Sequence, residues 1–211
     1  MAKNATPRHN SRRRFCMFDN LRADFARARL DRDPYLPPEF APRVRVLSRT
    51  FLPIVSYRYA VWAGRIRVPV LRQLLLIVSY LFSRLTQFLC RIYISPQAEI
   101  GPGFVIRSAY GVMIGPLARI GRNCTVESGC VVAGDIGENA YLAPGAKLIA
   151  LPRLGDGVAV GPNSLVLADV QSNRTVIGVP ARFRNAADFP NSGRPGAPAN
   201  PDFPDSHPKS G

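Results

Sequence analysis

Residues 136–166 read IGENAYLAPGAKLIALPRLGDGVAVGPNSLV, and an apolar residue returns there at every sixth place: Ile136, Leu142, Leu148, Leu154, Val160 and Val166. A period of six fits neither a helix at 3.6 nor a two-faced strand at 2, but it fits a coil of very short strands in which each sixth side chain turns inward. Working back toward the N-terminus, the same beat runs through Ile94, Ile100, Ile106, then Ile114, Ile120, Val126 and Val132. Four places after the beat stand small or β-branched residues: Ala98, Ala118, Cys124, Cys130, Ala140, Ala146, Val158, Ser164 and Val170. The residue just after the beat is often glycine (Gly101, Gly115, Gly121, Gly137, Gly155, Gly161), which we read as tight-turn positions. The pattern predicts a β-helix of stacked coils. An ordinary sandwich of alternating strands would not keep small residues at one fixed offset from the beat.

The beat slips twice. Ile106 to Ile114 is an interval of eight, holding Ser108, Ala109, Tyr110 and Gly111, and Val132 to Ile136 is an interval of four. Departures from a solenoid repeat map to loops on one face, which is where ligands bind.

The 211 residues carry 28 Lys+Arg against 14 Asp+Glu, with 17 against 5 in residues 1–90. This basic excess suits solvated helix faces, and nucleic acid is not expected, because no aromatic-interleaved basic stripe accompanies it. Cys16, Cys90, Cys124 and Cys130 form no disulfide framework; Cys124 and Cys130, at the inward offset, read as core thiols in a reducing, cytoplasmic setting. The two histidines, His9 and His207, lie far from the coil, so neither a metal cluster nor a Ser/His pair is expected.

Four regions follow: a basic flexible arm at 1–17, in which Met17 is a possible alternative start; a helical domain at 18–91; the β-helix at 92–184; and a disordered Pro/Gly-rich tail at 185–211. The helical domain begins with an amphipathic helix over Phe18–Asp33 that packs Phe18, Leu21 and Phe25 and leaves Arg22 and Arg27 outside. A second helix spans Ile54–Gly64. The third, from Pro69 to about Cys90, has an uncharged core from Gln73 to Ser83, too short to span a bilayer, and reads as a buried packing helix rather than an interfacial one.

Four stretches resemble bacterial serine acetyltransferases: Phe18–Asp24 with Asp31–Pro34, Tyr57–Trp62, Ile94–Gly101 and Gly178-Val179-Pro180-Ala181-Arg182. The resemblance covers about residues 18–184 and implies an α+β chain in which N-terminal helices precede a left-handed parallel β-helix. It also implies a homotrimer or higher oligomer, acetyl-CoA as donor lying between coils, no metal and a small hydroxyl acceptor. The family's base is a histidine held by an aspartate, in a stretch reading Asp-His, a small residue, then Gly. The matching stretch here is Arg107-Ser108-Ala109-Tyr110-Gly111, so Ser108 stands for the base and Arg107 for its partner. The family's Asp-Ile-His-Pro is Tyr93-Ile94-Ser95-Pro96, and a loop that normally leaves the coil is shortened at Gly134-Asp135.

The catalytic candidates are therefore Ser108, Glu127 and Asp135, with Tyr110 and Tyr141 as other possible bases. The donor candidates carried over from the family are Gly161, Ser164, Arg174, Gly178, Val179, Pro180 and Arg182. Three functions stay open: an O-acyltransferase with a rebuilt acceptor site, a non-catalytic scaffold or regulatory partner of an active relative, and a basic membrane-surface or polymer-binding module.

Overall fold

A computed structural model describes residues 17–30, 50–108 and 110–184; the expected arm, but for Met17, and the expected tail lie outside the described residues, as does Cys16. Three helices come first: α1 (Met17–Leu30), α2 (Leu52–Ala63) and α3 (Pro69–Cys90). Thirteen two-residue strands follow, in chain order β1 (Tyr93–Ile94), β2 (Glu99–Ile100), β3 (Val105–Ile106), β4 (Met113–Ile114), β5 (Arg119–Ile120), β6 (Thr125–Val126), β7 (Val131–Val132), β8 (Asp135–Ile136), β9 (Tyr141–Leu142), β10 (Lys147–Leu148), β11 (Arg153–Leu154), β12 (Ala159–Val160) and β13 (Leu165–Val166). Two three-residue strands, β14 (Thr175–Ile177) and β15 (Arg182–Arg184), close the coil.

The strands form three parallel walls of a left-handed β-helix. Wall A stacks β1-β4-β7-β10-β13, wall B stacks β2-β5-β8-β11, and wall C stacks β3-β6-β9-β12-β14 with β15 added antiparallel. Every beat residue is the second residue of its strand, and twelve of the thirteen are buried; Ile94 is half-buried against the core. All nine small residues at the fixed offset are buried too. Each inward Ile, Leu or Val contributes about 1.5–3 kcal/mol of transfer free energy. The backbone ladder is continuous: the N–H groups of Tyr93, Met113, Val131 and Lys147 donate to the carbonyls of Val112, Cys130, Ala146 and Ser164 at 2.8–3.0 Å.

The glycines after the beat have a different cause from the one expected. None of the six has a positive φ. A Cβ on Gly121 would lie 2.6 Å from the carbonyl of Gly137 in the next coil, so glycine is required by close approach between coils. The left-handed conformation falls instead on residues such as Gly111, Gly129 and Gly145 at one corner and Asn123 and Asn139 at another. The two slips also sit at different corners, the long interval between walls C and A and the short one between walls A and B.

The helices depart most from expectation. Phe18 is 61% exposed, whereas Asp24 is 0% exposed and Arg27 points inward. The Arg58 guanidinium reaches Asp24 at 3.1 Å and donates to the carbonyls of Ile100 (2.6 Å) and Gly101 (2.7 Å), and Asp24 accepts the Phe104 N–H at 2.9 Å. Arg27 donates to the Gly103 and Cys124 carbonyls, and Tyr57 OH to the Ala98 carbonyl at 2.6 Å. Polar side chains satisfy the open backbone edge of the first coils, which an apolar helix face could not do. Burial pushes the Asp24 carboxyl up, opposed by Arg58 and the backbone N–H groups.

Helix α3 is not a buried packing helix. Its buried residues are Ser79, Thr86 and Cys90, while Leu74, Ile77, Leu81, Leu85 and Phe88 face outward.

Asp24→Ala leaves Arg58 buried without its counter-charge, at a cost of about 3–5 kcal/mol. We expect a Tm lower by roughly 10 °C in thermal denaturation followed by circular dichroism. A variant melting with the wild type would show that the helices hold to the coil by other contacts.

Candidate functional site

The corner between walls C and A gathers the chemistry. Arg107 and Glu127 each follow a beat residue, and the pairing of β3 with β6 sets them side by side in successive coils. The Arg107 Nη1 donates to Glu127 Oε1 at 3.2 Å, with side chains only 4% and 8% exposed. One coil further, on β9, Tyr141 OH donates to the same oxygen at 3.3 Å, and the Arg107 guanidinium lies 5.7 Å from the Tyr141 ring centre. The carboxylate of Glu127 is thus fixed by two donors from neighbouring coils.

Ser108 is half-buried at this corner, with its carbonyl accepting the Tyr110 N–H at 3.0 Å; the Tyr110 ring is exposed beneath the Arg91 guanidinium. Ala109 is not described. Asp135 is elsewhere: it sits on wall B, its carboxylate 41% exposed and 3.9 Å from Arg153, so the structure does not bring it to Ser108 and Glu127. Sequence reading treated Arg107 only as a substituted acid and missed it as the partner of Glu127. The 20-residue step from the first coil to the second, seen also in Ile106 and Val126, carried that signal.

The donor candidates divide in the same way. Gly161 lies two coils beyond Glu127 at this corner, where a Cβ would run into the Ile177 side chain. Ser164 is fully buried, so it lines no groove; its Oγ accepts the Gly178 N–H at 3.0 Å and holds the exit segment. Gly178 has φ of +104°, and Val179 and Pro180 project from the same exit, joined by a cis peptide. Arg182 is exposed and pairs with Ile177, near Gly178, whereas Arg174 is exposed at the opposite end of β14.

Of the described cysteines, Cys124 and Cys130 are poor nucleophiles. Cys130 Sγ donates to the Ala143 carbonyl at 3.2 Å and Cys124 Sγ to the Gly137 carbonyl at 3.1 Å, and burial pushes both thiols up to about 11. Among the described residues, no group of three His, Cys, Asp or Glu side chains is placed to hold a metal ion.

No protein-family model matches the chain. Over 176 residues it is 32% identical to serine acetyltransferase of Synechococcus elongatus, covering 79% of this chain and 68% of that protein. Over 149 residues it is 35% identical to serine acetyltransferase of Staphylococcus xylosus, covering 64% and 69%. Soybean serine acetyltransferase superposes with a TM-score of 0.65 as the apoenzyme and 0.66 complexed with serine, at 26% identity, over 80% of this chain and 69% of that one. At 32% identity over 68% of the cyanobacterial enzyme's length, the chain belongs to the serine acetyltransferase family.

Proposed function

We propose that this chain is an O-acetyltransferase that moves the acetyl group of acetyl-CoA to a small hydroxyl acceptor at the corner between walls C and A. The observation that carries the reading is Glu127, a buried carboxylate held by Arg107 and Tyr141 on the corner that also bears Gly161 and Gly178. Glu127 replaces the family's histidine as general base, with Ser108 beside it to orient the acceptor. The acceptor oxygen attacks the thioester carbonyl carbon while Glu127 takes its proton; the C–S bond then breaks, and CoA leaves as a thiolate that is protonated to the thiol. The products are an O-acetyl ester and free CoA.

A second reading has an observation of its own. The only histidines lie at positions 9 and 207, and an ion-paired glutamate is a weaker base than a histidine. On that reading the chain is a non-catalytic partner that keeps the donor groove and assembles with an active relative.

Thiol release with acetyl-CoA and a panel of hydroxyl acceptors separates the two. The first reading expects turnover, and Glu127→Gln lowers kcat by about 10²–10⁴ with the KM for acetyl-CoA unchanged, the range of general-base assistance. CoA binding without thiol release for any acceptor would establish the scaffold instead.

The donor lies along Gly161, Gly178, Val179 and Pro180, with Arg182 meeting its phosphates and Ser164 holding Gly178 in place. Arg182→Glu is expected to weaken CoA binding by about tenfold or more in calorimetry, the worth of one charge-assisted contact. Arg174→Glu, at the far end of β14, leaves binding unchanged; equal losses would place the phosphates between the two.

The corner between walls A and B exposes Leu117, Ile149, Leu151 and Leu167, an apolar edge suited to neighbouring copies around a threefold axis. Sedimentation should give a trimer or a multiple of it, and Leu117→Asp with Leu167→Asp should give monomers. A wild-type monomer at micromolar concentration would overturn this assembly.

A further inference from the structure

Helix α3 is built the reverse way to the surface helix of a soluble domain. The fully buried side chains it turns to α2 and the coil are small: Ser79, Thr86 and Cys90 are buried, Ser83 is half-buried like Leu75 and Phe82, and Ser83 Oγ lies 3.1 Å from Ser56 Oγ of α2. The side it turns outward is hydrocarbon, with Val70 71%, Leu74 58%, Leu81 61% and Phe88 83% exposed. Small and polar residues between helices with apolar residues outside is the arrangement of helices whose solvent is lipid.

Charge says what covers this face. No Asp or Glu occurs between Phe40 and Ala98, while Arg65, Arg67, Arg72, Arg84 and Arg91, all exposed, surround the apolar surface. A second copy docking here would bring arginines against arginines with no acid from this stretch to offset them. The solenoid also has its own separate apolar edge for other copies, at Leu117 and Leu167. An anionic lipid surface supplies hydrocarbon and negative charge together.

We infer that the α2–α3 hairpin is a docking element that seats α3 in the plane of an anionic membrane surface. By length and composition alone α3 could cross a membrane, but two observations hold it in the plane. Arg72 and Arg84 bracket eleven uncharged residues, about 17 Å of helix against a hydrocarbon thickness of about 30 Å. Its partner α2 is fixed to the first coil by Tyr57 and Arg58, so a crossing α3 would have to part from α2 or pull it from the coil. The Arg91 carbonyl accepts the Gly111 N–H at 3.0 Å, so the end of α3 runs directly into the coil that carries Ser108 and Tyr110.

The test is co-sedimentation of the full chain with vesicles of phosphatidylcholine alone and of phosphatidylcholine with phosphatidylglycerol at 7:3. Binding is expected to the anionic vesicles and to weaken with salt. Leu81→Glu with Phe88→Glu should reduce the partition coefficient at least about tenfold, with an unchanged melting curve because both side chains are exposed. Arg65→Glu with Arg67→Glu should reduce it on anionic vesicles. Failure of the wild type to bind, or undiminished binding by the Leu81/Phe88 variant, overturns the inference. So does a change in the lipid-free oligomeric state of that variant without vesicle binding by the wild type, which would assign the face to a second copy. Resistance of bound protein to carbonate at high pH would overturn the in-plane placement. None of these readouts depends on turnover, so they stand or fall apart from the acyl-transfer reading.

Discussion

Successive coils of this solenoid lie one strand spacing apart, about 4.8 Å, and every corner residue has to tolerate its counterpart at that distance. Along Gly101, Gly121, Gly137 and Gly155 the next coil's backbone occupies the place where a Cβ would be. Inside, the same spacing stacks Ala118, Ala140 and the two thiols with the larger beat residues, so large and small buried side chains alternate along the prism. The spacing also makes the site. Arg107, Glu127 and Tyr141 meet because three consecutive coils deliver them to one corner, and a slip of one residue in any coil would separate them.

A stacked coil has an open end, and this chain closes its first coil with charge. Asp24 and Arg58 are almost fully buried, yet each has partners: the pair itself, the Phe104 N–H, and the carbonyls of Ile100 and Gly101. A buried pair of this kind stabilises little against a well-packed apolar alternative, but it fixes where the helices sit. That placement leaves α3 lying beside the coil with its apolar side outward. At the other end the problem is solved without charge, by β15 folding back antiparallel on β14 while Ser164 holds the Gly178 N–H.

On the proposed reading the base at the corner between walls C and A is the carboxylate of Glu127, held by Arg107 and Tyr141. On the same reading the donor end rests on glycine and a short exit loop, which would bind through backbone and shape rather than through particular side chains.

The hexad beat by itself determined the coil: thirteen apolar residues and nine small ones were assigned to the interior from spacing alone, and all lie buried or half-buried there. The buried free thiols at Cys124 and Cys130 were equally legible, since their offset from the beat decides which way they point. What the sequence could not decide were contacts between elements far apart in the chain. Phe18 looked like a core residue and Arg27 like a solvated one, because periodicity ranks side chains by polarity and is blind to the Gly103 and Cys124 carbonyls, far along the chain, that Arg27 reaches. For the same reason α3 read as a packing helix: its apolar content was plain, but which side faced its neighbours depended on Ser56 of α2 lying against Ser83. Asp135 and Glu127, eight residues apart, looked equally eligible for one site until the coil set them on different walls. Local pattern fixes what repeats along the chain; the tertiary structure alone settles which repeats share a corner.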